Sequence, residues 1–392
     1  MLNRARAQPK EQQYDPVSGV RVSEKETFLS LPPEAMADSV RHGERLATSL
    51  LERARLVLML GRPRTCVPGL LSYALGYSYT GAAPSGRMVL GALLSLSIGF
   101  VANLSNTATD LHEDSRNLPG RMFLLARLGY RELIAVCRVF FVLMTLGAVL
   151  LGAHFAVFMG LAVIGLHQYS APPIRSKGRP LLGLWVFAQA VVFPFLFGWT
   201  TEPGDMLGTL LLSVAAKVTG HAAPPAGAAL QSYRYLSMWF FLTLWFMAKG
   251  TFKNVPDYEG DRAAGVRTSA TVWQSRRAAA VASMAATIAA YASLAGLIAM
   301  GMEKPRVLLA LSWLVPVGWN CTRLLLAEQG ETGNTILKAD MLISTGFIAS
   351  LLLLIAPSPA SIGMVLAGAV ILLVSDALDL DSRRQADVAR RP

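Results

Sequence analysis

Two pairs of aspartates, each with four-residue spacing, lie at the ends of apolar segments of this sequence. The first pair is Asp110 and Asp114, with Asn106 four residues upstream, and the second pair is Asp257 and Asp261. Residues four apart on an α-helix differ by about 40° in azimuth, so the two carboxylates of a pair share one face, one turn apart. Mg²⁺ prefers oxygen ligands and commonly bridges carboxylates to the phosphate groups of a substrate. Each pair is therefore a candidate Mg²⁺ site.

The segments that carry these aspartates are long apolar runs typical of a membrane protein. Of the 392 residues, 53% are hydrophobic and 16% are charged. A helix needs about 20 residues to span a bilayer, and ten runs are candidates: roughly 64–80, 88–109, 132–152, 155–170, 181–200, 234–252, 276–300, 306–326, 339–356 and 361–378. The fourth and the last have the weakest signal. We therefore predict an all-α bundle of nine to ten transmembrane helices with an active cavity on the cytoplasmic side.

The membrane makes the aspartates more informative. An aspartate at the centre of a bilayer costs about 2.5 to 3.5 kcal/mol on insertion scales, so four of them would cost roughly 10 kcal/mol or more. That cost rivals the stability of a typical domain, about 5 to 15 kcal/mol. The aspartates are therefore expected near the membrane boundary or in a wet cavity, where they serve a function.

The distribution of Lys and Arg predicts the orientation of the bundle, because cytoplasmic loops carry an excess of both. The loops after the second, fourth and sixth runs are rich in them: Arg116, Arg121, Arg127, Arg131, Arg175, Lys177, Arg179, Lys253, Arg262, Arg267, Arg276 and Arg277. Alternate loops are poorer and both termini are basic, so both termini and both aspartate pairs are expected in the cytoplasm. The net charge of +11 fits this asymmetry, and the sequence shows no basic soluble domain that would bind nucleic acid.

Three regions are expected along the chain. Residues 1–56 form a polar cytoplasmic segment that is disordered over 1–33 and helical over 34–56. Two interpretations of the helical part are open: a helix that lies on the membrane interface, and a solvated helix. Residues 57–378 form the transmembrane domain, and residues 379–392 form a basic cytoplasmic tail. The long outer connection 201–233 suggests an interfacial or re-entrant piece followed by a flexible linker.

Three motifs follow one another in the cytoplasmic loops. They read Asn106-x3-Asp110-Leu-His-Glu-Asp114-Ser-Arg-Asn117-Leu-Pro119-Gly-Arg121, then Tyr169-Ser170-Ala-Pro172-Pro173-Ile-Arg175-Ser-Lys177, then Lys253-Asn254-Val-Pro256-Asp257-Tyr-Glu-Gly260-Asp261. Together they resemble the UbiA superfamily of intramembrane prenyltransferases, whose patterns run N-x3-D-x3-D-x2-N-x-P-x-R, Y-S-x-P-P-x-R-x-K and K-D-x2-D-x3-D. The resemblance covers about residues 60 to 356. Two positions depart from it: Asn254 stands where an aspartate is usual, and Leu118 replaces a basic residue.

The resemblance implies a role for each matching residue. Asn106, Asp110 and Asp114 would hold one Mg²⁺ region, and Asp257 and Asp261 the other, so the four aspartates are the implied metal ligands and catalytic residues. The residues implied to bind the prenyl diphosphate are Asn106, Arg121, Tyr169, Arg175, Lys177, Lys253 and Asn254, with Arg62 and Arg64 behind them. Each arginine taken alone is also explained by the excess of cations in cytoplasmic loops. His112 and Glu113 lie off the aspartate face and are expected to be solvated.

The residue types fit the same chemistry. An allylic diphosphate carries about three negative charges, which four aspartates alone would repel, whereas two Mg²⁺ ions would neutralise most of that charge and act as Lewis acids on the leaving group. The allylic cation then needs a dry pocket with aromatic faces. The candidates are Tyr169 and the aromatic residues of the fifth and sixth runs: Trp185, Phe187, Phe193, Phe195, Phe197, Trp199, Trp239, Phe240, Phe241, Trp245 and Phe246.

We therefore expect Mg²⁺-dependent transfer of a prenyl group from an allylic prenyl diphosphate to a small hydrophobic acceptor, aromatic or quinonoid, within the lipid bilayer. Two alternatives stay open. A terpene cyclase of the same fold would ionise the same substrate without an acceptor. A transporter would couple the aspartates to an ion, but it predicts helices broken near the membrane midplane rather than acidic groups at helix ends. The sequence identifies no general base.

Overall fold

The computed structural model describes residues 22–43, 45–47, 49–202, 226–263, 265–327 and 333–382. All regular structure within these ranges is helical, which confirms the all-α prediction. Three short 3₁₀-helices span Pro63–Cys66, Ser176–Gly178 and Pro305–Trp313. The α-helices are α1 Val22–Leu29, α2 Pro33–His42, α3 Leu50–Gly61, α4 Val67–Ser78, α5 Gly86–Thr109, α6 Leu111–Asn117, α7 Pro119–Leu128, α8 Tyr130–Leu151, α9 Ala153–Ser170, α10 Pro180–Thr200, α11 Ala226–Asn254, α12 Tyr258–Ala263, α13 Arg276–Ala299, α14 Leu314–Leu326, α15 Gly333–Ile355 and α16 Pro359–Ala377.

Seven helices in the described part of the chain are long and apolar enough to cross a membrane: Gly86–Thr109, Tyr130–Leu151, Pro180–Thr200, Arg276–Ala299, Pro305–Leu326, Thr335–Ile355 and Pro359–Ala377. The other three predicted runs fall on α4, α9 and α11. Helix α4 is only 12 residues long because the chain before it winds as a 3₁₀-helix, and its residues from Val67 to Tyr77 are all buried within the protein. The number of nine to ten transmembrane helices stays a prediction.

The outer faces of the long helices are apolar, as a lipid environment requires. Helix α8 exposes Leu143, Val149 and Leu150, and α16 exposes Leu366 and Leu373, each by more than half of its surface. A water-soluble bundle buries such side chains, whereas the hydrocarbon core of a bilayer accepts them. The protein is an integral membrane protein.

Helices α4 and α10 cross in direct backbone contact at the centre of the bundle. A Cβ atom added to Gly76 would lie 1.9 Å from the carbonyl oxygen of Phe195, and one added to Gly198 would lie 2.1 Å from that of Tyr73. Small residues at a crossing allow membrane helices to pack this closely. The same two helices approach the predicted site: the residues before α4 include Arg62 and Arg64, and Lys177 lies just before α10.

The two ends of the described chain pack on the bundle. Residues Val22–Leu29 form a helix where the sequence predicts disorder. Phe28 packs against Phe123 of α7 with ring centroids 5.6 Å apart and the rings tilted by 54°, and this packing holds the segment. Residues 34–56, predicted as one helix, are divided between α2 and α3. Residues 1–21, 203–225 and 383–392 lie outside the described residues. Most of the predicted disordered segment, the predicted outer connection and the predicted basic tail fall in these three ranges.

Candidate active site

The four aspartates line one cavity of about 820 Å³ between the helices. It brings together all three sequence motifs, including Asn106, Arg121, Tyr169, Lys177, Lys253 and Asn254, and it also touches Arg62 and Arg64. Of the predicted site residues, Arg175 alone is absent from this lining; its side chain is 49% exposed. The spacing argument therefore led to residues that share one cavity.

The first aspartate pair lies at a break between two helices. Helix α5 ends at Thr109, yet the four-residue hydrogen bonds continue across the break: the Asp110 amide donates to Asn106 (2.9 Å) and the Asp114 amide to Asp110 (2.8 Å). Lys177 donates to the Asp110 carboxylate over 2.5 Å, and the Ser170 hydroxyl donates to it over 3.2 Å. The Tyr169–Lys177 motif is thereby bonded to the first aspartate motif.

Arg121 holds Asp114 in place. Its guanidinium donates to the Asp114 carboxylate over 2.8 Å, to the Asn103 carbonyl over 3.0 Å, and to the Thr107 hydroxyl. Both side chains of the ion pair are almost completely buried. Removing one partner of such a pair leaves an uncompensated buried charge, at a cost of about 3 to 5 kcal/mol. Arg121 positions a predicted metal ligand here; its direct contact with a diphosphate stays a prediction.

Glu113 is not solvated, contrary to the sequence prediction. Its carboxylate pairs with Arg175 and with Lys177, the latter at 3.4 Å, and it lines the cavity. Burial raises the pKa of Glu113, but the positive charges of Lys177 and Arg175 outweigh it and the pKa is lowered. The backbone at Asp110 is not helical (φ −96°, ψ 26°), so α6 does not continue the axis of α5 on which the prediction relied. His112 is exposed, as expected.

The second aspartate pair spans the turn between α11 and α12. The Asp261 amide donates to the Asp257 carbonyl over 2.9 Å, so the carboxylates are again one turn apart. Burial and the neighbouring Asp257 carboxylate raise the pKa of Asp261 to about 7, although Lys253 acts in the opposite direction. Asn254, the departure from the family pattern, donates its side-chain amide to the Ser269 hydroxyl over 2.9 Å.

The carboxylates suit magnesium in pairs rather than in one protein cage. Within the described ranges, groups of three or more His, Cys, Asp or Glu side chains do not converge at metal-binding distance. Mg²⁺ is usually bound by one or two carboxylates, with phosphate oxygens and water completing its shell. The Asp257 carboxylate raises the pKa of the half-buried Asp261, and a divalent cation bound there would favour the ionised form. The residues present therefore fit Mg²⁺ at each pair.

A glycine allows the two aspartate regions to meet. A Cβ atom added to Gly260 of α12 would lie 2.0 Å from the side-chain oxygen of Asn117 on α6. Both Asn117 and Asp261 line the cavity. Gly260 therefore leaves room for the Asn117 side chain where the second aspartate region meets the first.

Aromatic faces lie beside the charged end of the cavity. Phe187 and Phe246 line it and stack with centroids 5.0 Å apart, and the Lys253 ammonium lies 5.0 Å from the Phe187 centroid and 5.9 Å from that of Tyr169. The other aromatic residues named from the fifth and sixth runs do not line the cavity; several are fully buried in the bundle, namely Phe195, Phe197, Phe241 and Trp245. An aromatic residue on an apolar helix can pack inside the bundle, face lipid or line a cavity. The spacing of the aromatic residues in the sequence therefore could not identify Phe187 and Phe246 as the two that line the cavity.

Sequence reasoning missed a second ion pair in the cavity wall. Lys249 of α11 donates to Asp340 of α15 over 2.6 Å, and both residues line the cavity. Both lie in predominantly apolar helices, outside the three motifs. An ionisable residue inside a membrane helix is itself a signal of function, and that signal could have identified them.

Carboxylates near the C-terminal end hold the two arginines before α4. Arg62 pairs with Asp381 at 3.1 Å, and Arg64 pairs with Asp376 at 2.8 Å and with Asp381 at 3.8 Å. Arg64 is 97% buried, with a side-chain exposure of 3%. These partners lie more than 300 residues away in sequence, so local motifs could not reveal them.

Comparisons with known proteins agree with this fold. Residues 65–341 match the UbiA prenyltransferase family. Two solved structures of a UbiA homologue from Archaeoglobus fulgidus, bound to Mg²⁺ with DMAPP or with GPP, superpose with TM-scores of 0.53 and 0.54. They are 22% and 20% identical to this chain and cover 76% and 77% of it, and 99% of their own length, so they establish the fold.

Two curated relatives are lycopene elongase/hydratases. The protein from Haloarcula japonica is 33% identical over 130 residues, and that from Halobacterium salinarum is 34% identical over 134 residues. Each match covers 33% of this chain, and 32% and 45% of the respective relative. The matched part is therefore less than half of either relative.

The fold and the cavity define a helical membrane protein whose cavity carries two aspartate pairs. The chain belongs to the UbiA prenyltransferase family.

Proposed function

We propose that this protein transfers the prenyl group of an allylic diphosphate to a small hydrophobic acceptor, releasing diphosphate on the cytoplasmic side of the membrane. One observation carries the proposal: two aspartate pairs and the cations Lys177 and Lys253 surround a cavity whose wall continues into aromatic and apolar side chains. A prenyl diphosphate has the same division, with a charged head and an apolar chain.

The charged end suits the diphosphate. Mg²⁺ held by Asp110, Asp114, Asp257 and Asp261 would supply charge neutralisation and Lewis acidity at the leaving oxygen. Lys177 lies on the Asp110 side of the cavity and Lys253 near the end of α11, and their ammonium groups would donate to outer phosphate oxygens. Arg121 acts through Asp114, which it orients.

The aromatic faces suit the cation that forms when diphosphate leaves. The stacked rings of Phe187 and Phe246, with Tyr169 nearby, would attract a positive charge by about 0.5 to 2 kcal/mol each. Their position directly beyond Lys253 is where the first carbons of a bound prenyl chain would lie. Water would capture this cation, so the reaction requires the apolar wall around the rings to exclude it.

Two acceptor classes are in question. The Tyr169–Lys177 motif resembles that of members which prenylate aromatic or quinonoid acceptors, and we take this class as the first choice. A long acyclic polyene is the second candidate, because the relatives from Haloarcula japonica and Halobacterium salinarum are lycopene elongase/hydratases.

The test uses purified protein in lipid vesicles with Mg²⁺ and dimethylallyl, geranyl, farnesyl or geranylgeranyl diphosphate. Each donor is supplied alone, with 4-hydroxybenzoate, with a naphthoquinol or with lycopene. We expect diphosphate release coupled one-to-one to a prenylated product with one acceptor, and slow hydrolysis without any acceptor. Efficient formation of a cyclic hydrocarbon or terpene alcohol from the donor alone would replace the transferase proposal with the cyclase.

The metal assignment is tested in the same assay. Asp110→Ala and Asp257→Ala should each lower turnover by about two orders of magnitude or more, because several kcal/mol of stabilisation at the leaving group are lost. Thermal unfolding checks that both variants fold. Full activity in EDTA, or wild-type activity in both variants, would contradict the assignment.

A further inference from the structure

The ion pair between Lys249 and Asp340 lies in the wall of the reaction cavity. The Lys249 ammonium donates to Asp340 Oδ1 over 2.6 Å, and the side chains are 3% and 14% exposed. The ammonium also lies 5.3 Å from the ring centroid of Tyr291 and 5.7 Å from that of Phe252. Within the described residues, Asp340 Oδ2 has neither a hydrogen bond nor an ion pair. Asp340 therefore offers one carboxylate oxygen to whatever occupies the cavity.

Stability alone does not account for this pair. Replacing a buried ion pair by apolar side chains of similar volume is often neutral or stabilising. A second buried pair in the protein, Arg234 with Glu303, shows the structural arrangement: Glu303 Oε2 accepts from Arg234 over 2.9 Å, Oε1 accepts from the Tyr79 hydroxyl over 2.6 Å, and neither Arg234 nor Glu303 lines the cavity. Both oxygens of Glu303 are occupied, whereas Asp340 has one oxygen to spare.

The pair lies beside the expected position of the reacting carbons. Helix α11 presents Phe246, Lys249 and Lys253 to the cavity in that order. At 1.5 Å per residue, Lys249 is about 6 Å along the helix from Lys253, away from the aspartates. Lys253 lies over the Phe187 ring, which stacks on Phe246. Asp340 is therefore at the depth of the aromatic pair, where the allylic cation and the acceptor would meet.

We propose that Asp340 is the general base of the transfer and that Lys249 is its positioning residue; this inference rests on the proposed function. The allylic C–O bond breaks and its electron pair leaves with the diphosphate. A π-electron pair of the acceptor forms the new C–C bond and leaves a cation on the acceptor. An adjacent C–H bond then breaks, its electron pair restores the double bond or the aromatic ring, and the proton passes to Asp340 Oδ2. Lys249 holds the carboxylate ionised and fixes its orientation.

The test separates bond cleavage from proton removal. Geranyl diphosphate labelled with ¹⁸O at the bridging oxygen reports cleavage and return, because the label moves to non-bridging positions whether or not product forms. A positioned base contributes typically about 10²- to 10⁴-fold. In Asp340→Asn we expect prenylated product to fall at least about 100-fold while label exchange stays within about threefold of wild type, and Asp340→Glu should recover part of the product.

Two further variants keep the result decisive. If Asp340→Asn does not fold, the double variant Lys249→Met with Asp340→Leu replaces the ion pair by apolar side chains and should show the same separation of exchange from product.

Glu303→Gln is the matched control, since it weakens a buried pair outside the cavity and should leave the ratio of product to exchange unchanged. The inference is wrong if product and exchange fall together, or if a folded variant without the carboxylate keeps wild-type product formation. Absence of both exchange and product in the wild type would instead refute the proposed function.

Discussion

At the scale of single residues, the cavity depends on carboxylates whose charge is partly compensated by the protein. Asp110 is paired with Lys177 and Asp114 with Arg121, whereas the Asp257 carboxylate raises the pKa of Asp261. The charge of the first pair is therefore compensated before any metal binds, whereas Asp261 is costly to ionise. The two metal regions should consequently differ in their affinity for Mg²⁺.

Besides its ion pair with Asp110, Lys177 is expected to bind the diphosphate. Lys177→Gln should lower kcat/KM for the prenyl diphosphate by about 10- to 100-fold, because a hydrogen bond to a charged group contributes about 1.5 to 3 kcal/mol. Steady-state kinetics with geranyl diphosphate measure this. Arg179→Gln is the matched control, since Arg179 is an exposed cation two residues away and does not line the cavity. An equal loss in both variants would assign the effect to general loop charge.

The pKa of Asp261 predicts a pH-dependent gain in stability when this carboxyl group is removed. Its value rises from 3.8 to about 7 on folding, so the contribution of Asp261 to stability is fully present below pH 3.8 and is lost as pH rises through about 7. In EDTA, the stabilisation of Asp261→Asn over wild type should grow from pH 4 to pH 7 and then level off. Thermal unfolding measures it, with Asp38→Asn, an exposed carboxyl on α2, as control. A gain independent of pH would contradict the shifted pKa.

At the scale of helices, the site depends on how closely α12 approaches α6. Gly260→Ala would place a Cβ atom 2.0 Å from the side-chain oxygen of Asn117, so either the Asn117 side chain or α12 must shift in the cavity wall. Since a displacement of about 1 Å can cost about 100-fold in rate, we expect at least a tenfold loss of turnover. Gly296→Ala on α13 is the control, because its Cβ would meet no atom within 4 Å. Unchanged turnover in Gly260→Ala would show that the separation of the two regions is not critical.

The sequence predicts the helices and aspartate pairs better than their surroundings. Apolar length identifies the long helices, and the four-residue spacing of Asp257 and Asp261 survives even though a turn separates α11 from α12. Glu113 was misplaced because the break at Asp110 changes the direction of α6, which helical periodicity cannot detect. Lys249 and Asp340 are 91 residues apart in sequence, and only packing of α11 against α15 brings them together.

At the scale of the whole molecule, the open prediction is its orientation in the membrane. His112→Cys and Ala263→Cys place thiols at exposed positions beside the two aspartate regions, and the native Cys66, Cys137 and Cys321 are buried. In intact cells, a membrane-impermeant maleimide should label neither variant, whereas in permeabilised cells it should label both. Labelling of either from outside would reverse the predicted orientation. Thr80, just beyond the C-terminal end of α4, is the matched position for a cysteine on the outer face.

The pairing of Arg64 with Asp376 and Asp381 has a consequence for biosynthesis. Among the described residues these carboxylates are the ion-pair partners of Arg64, and Asp376 follows it by 312 residues. At about 5 to 20 residues per second, a ribosome needs roughly 15 to 60 s to add them. During that interval Arg64 lacks both of these ion-pair partners. The cavity is therefore complete only after Asp376 and Asp381 have been synthesised, and a ribosome that stops before Asp376 releases a chain whose cavity lacks these two counter-charges.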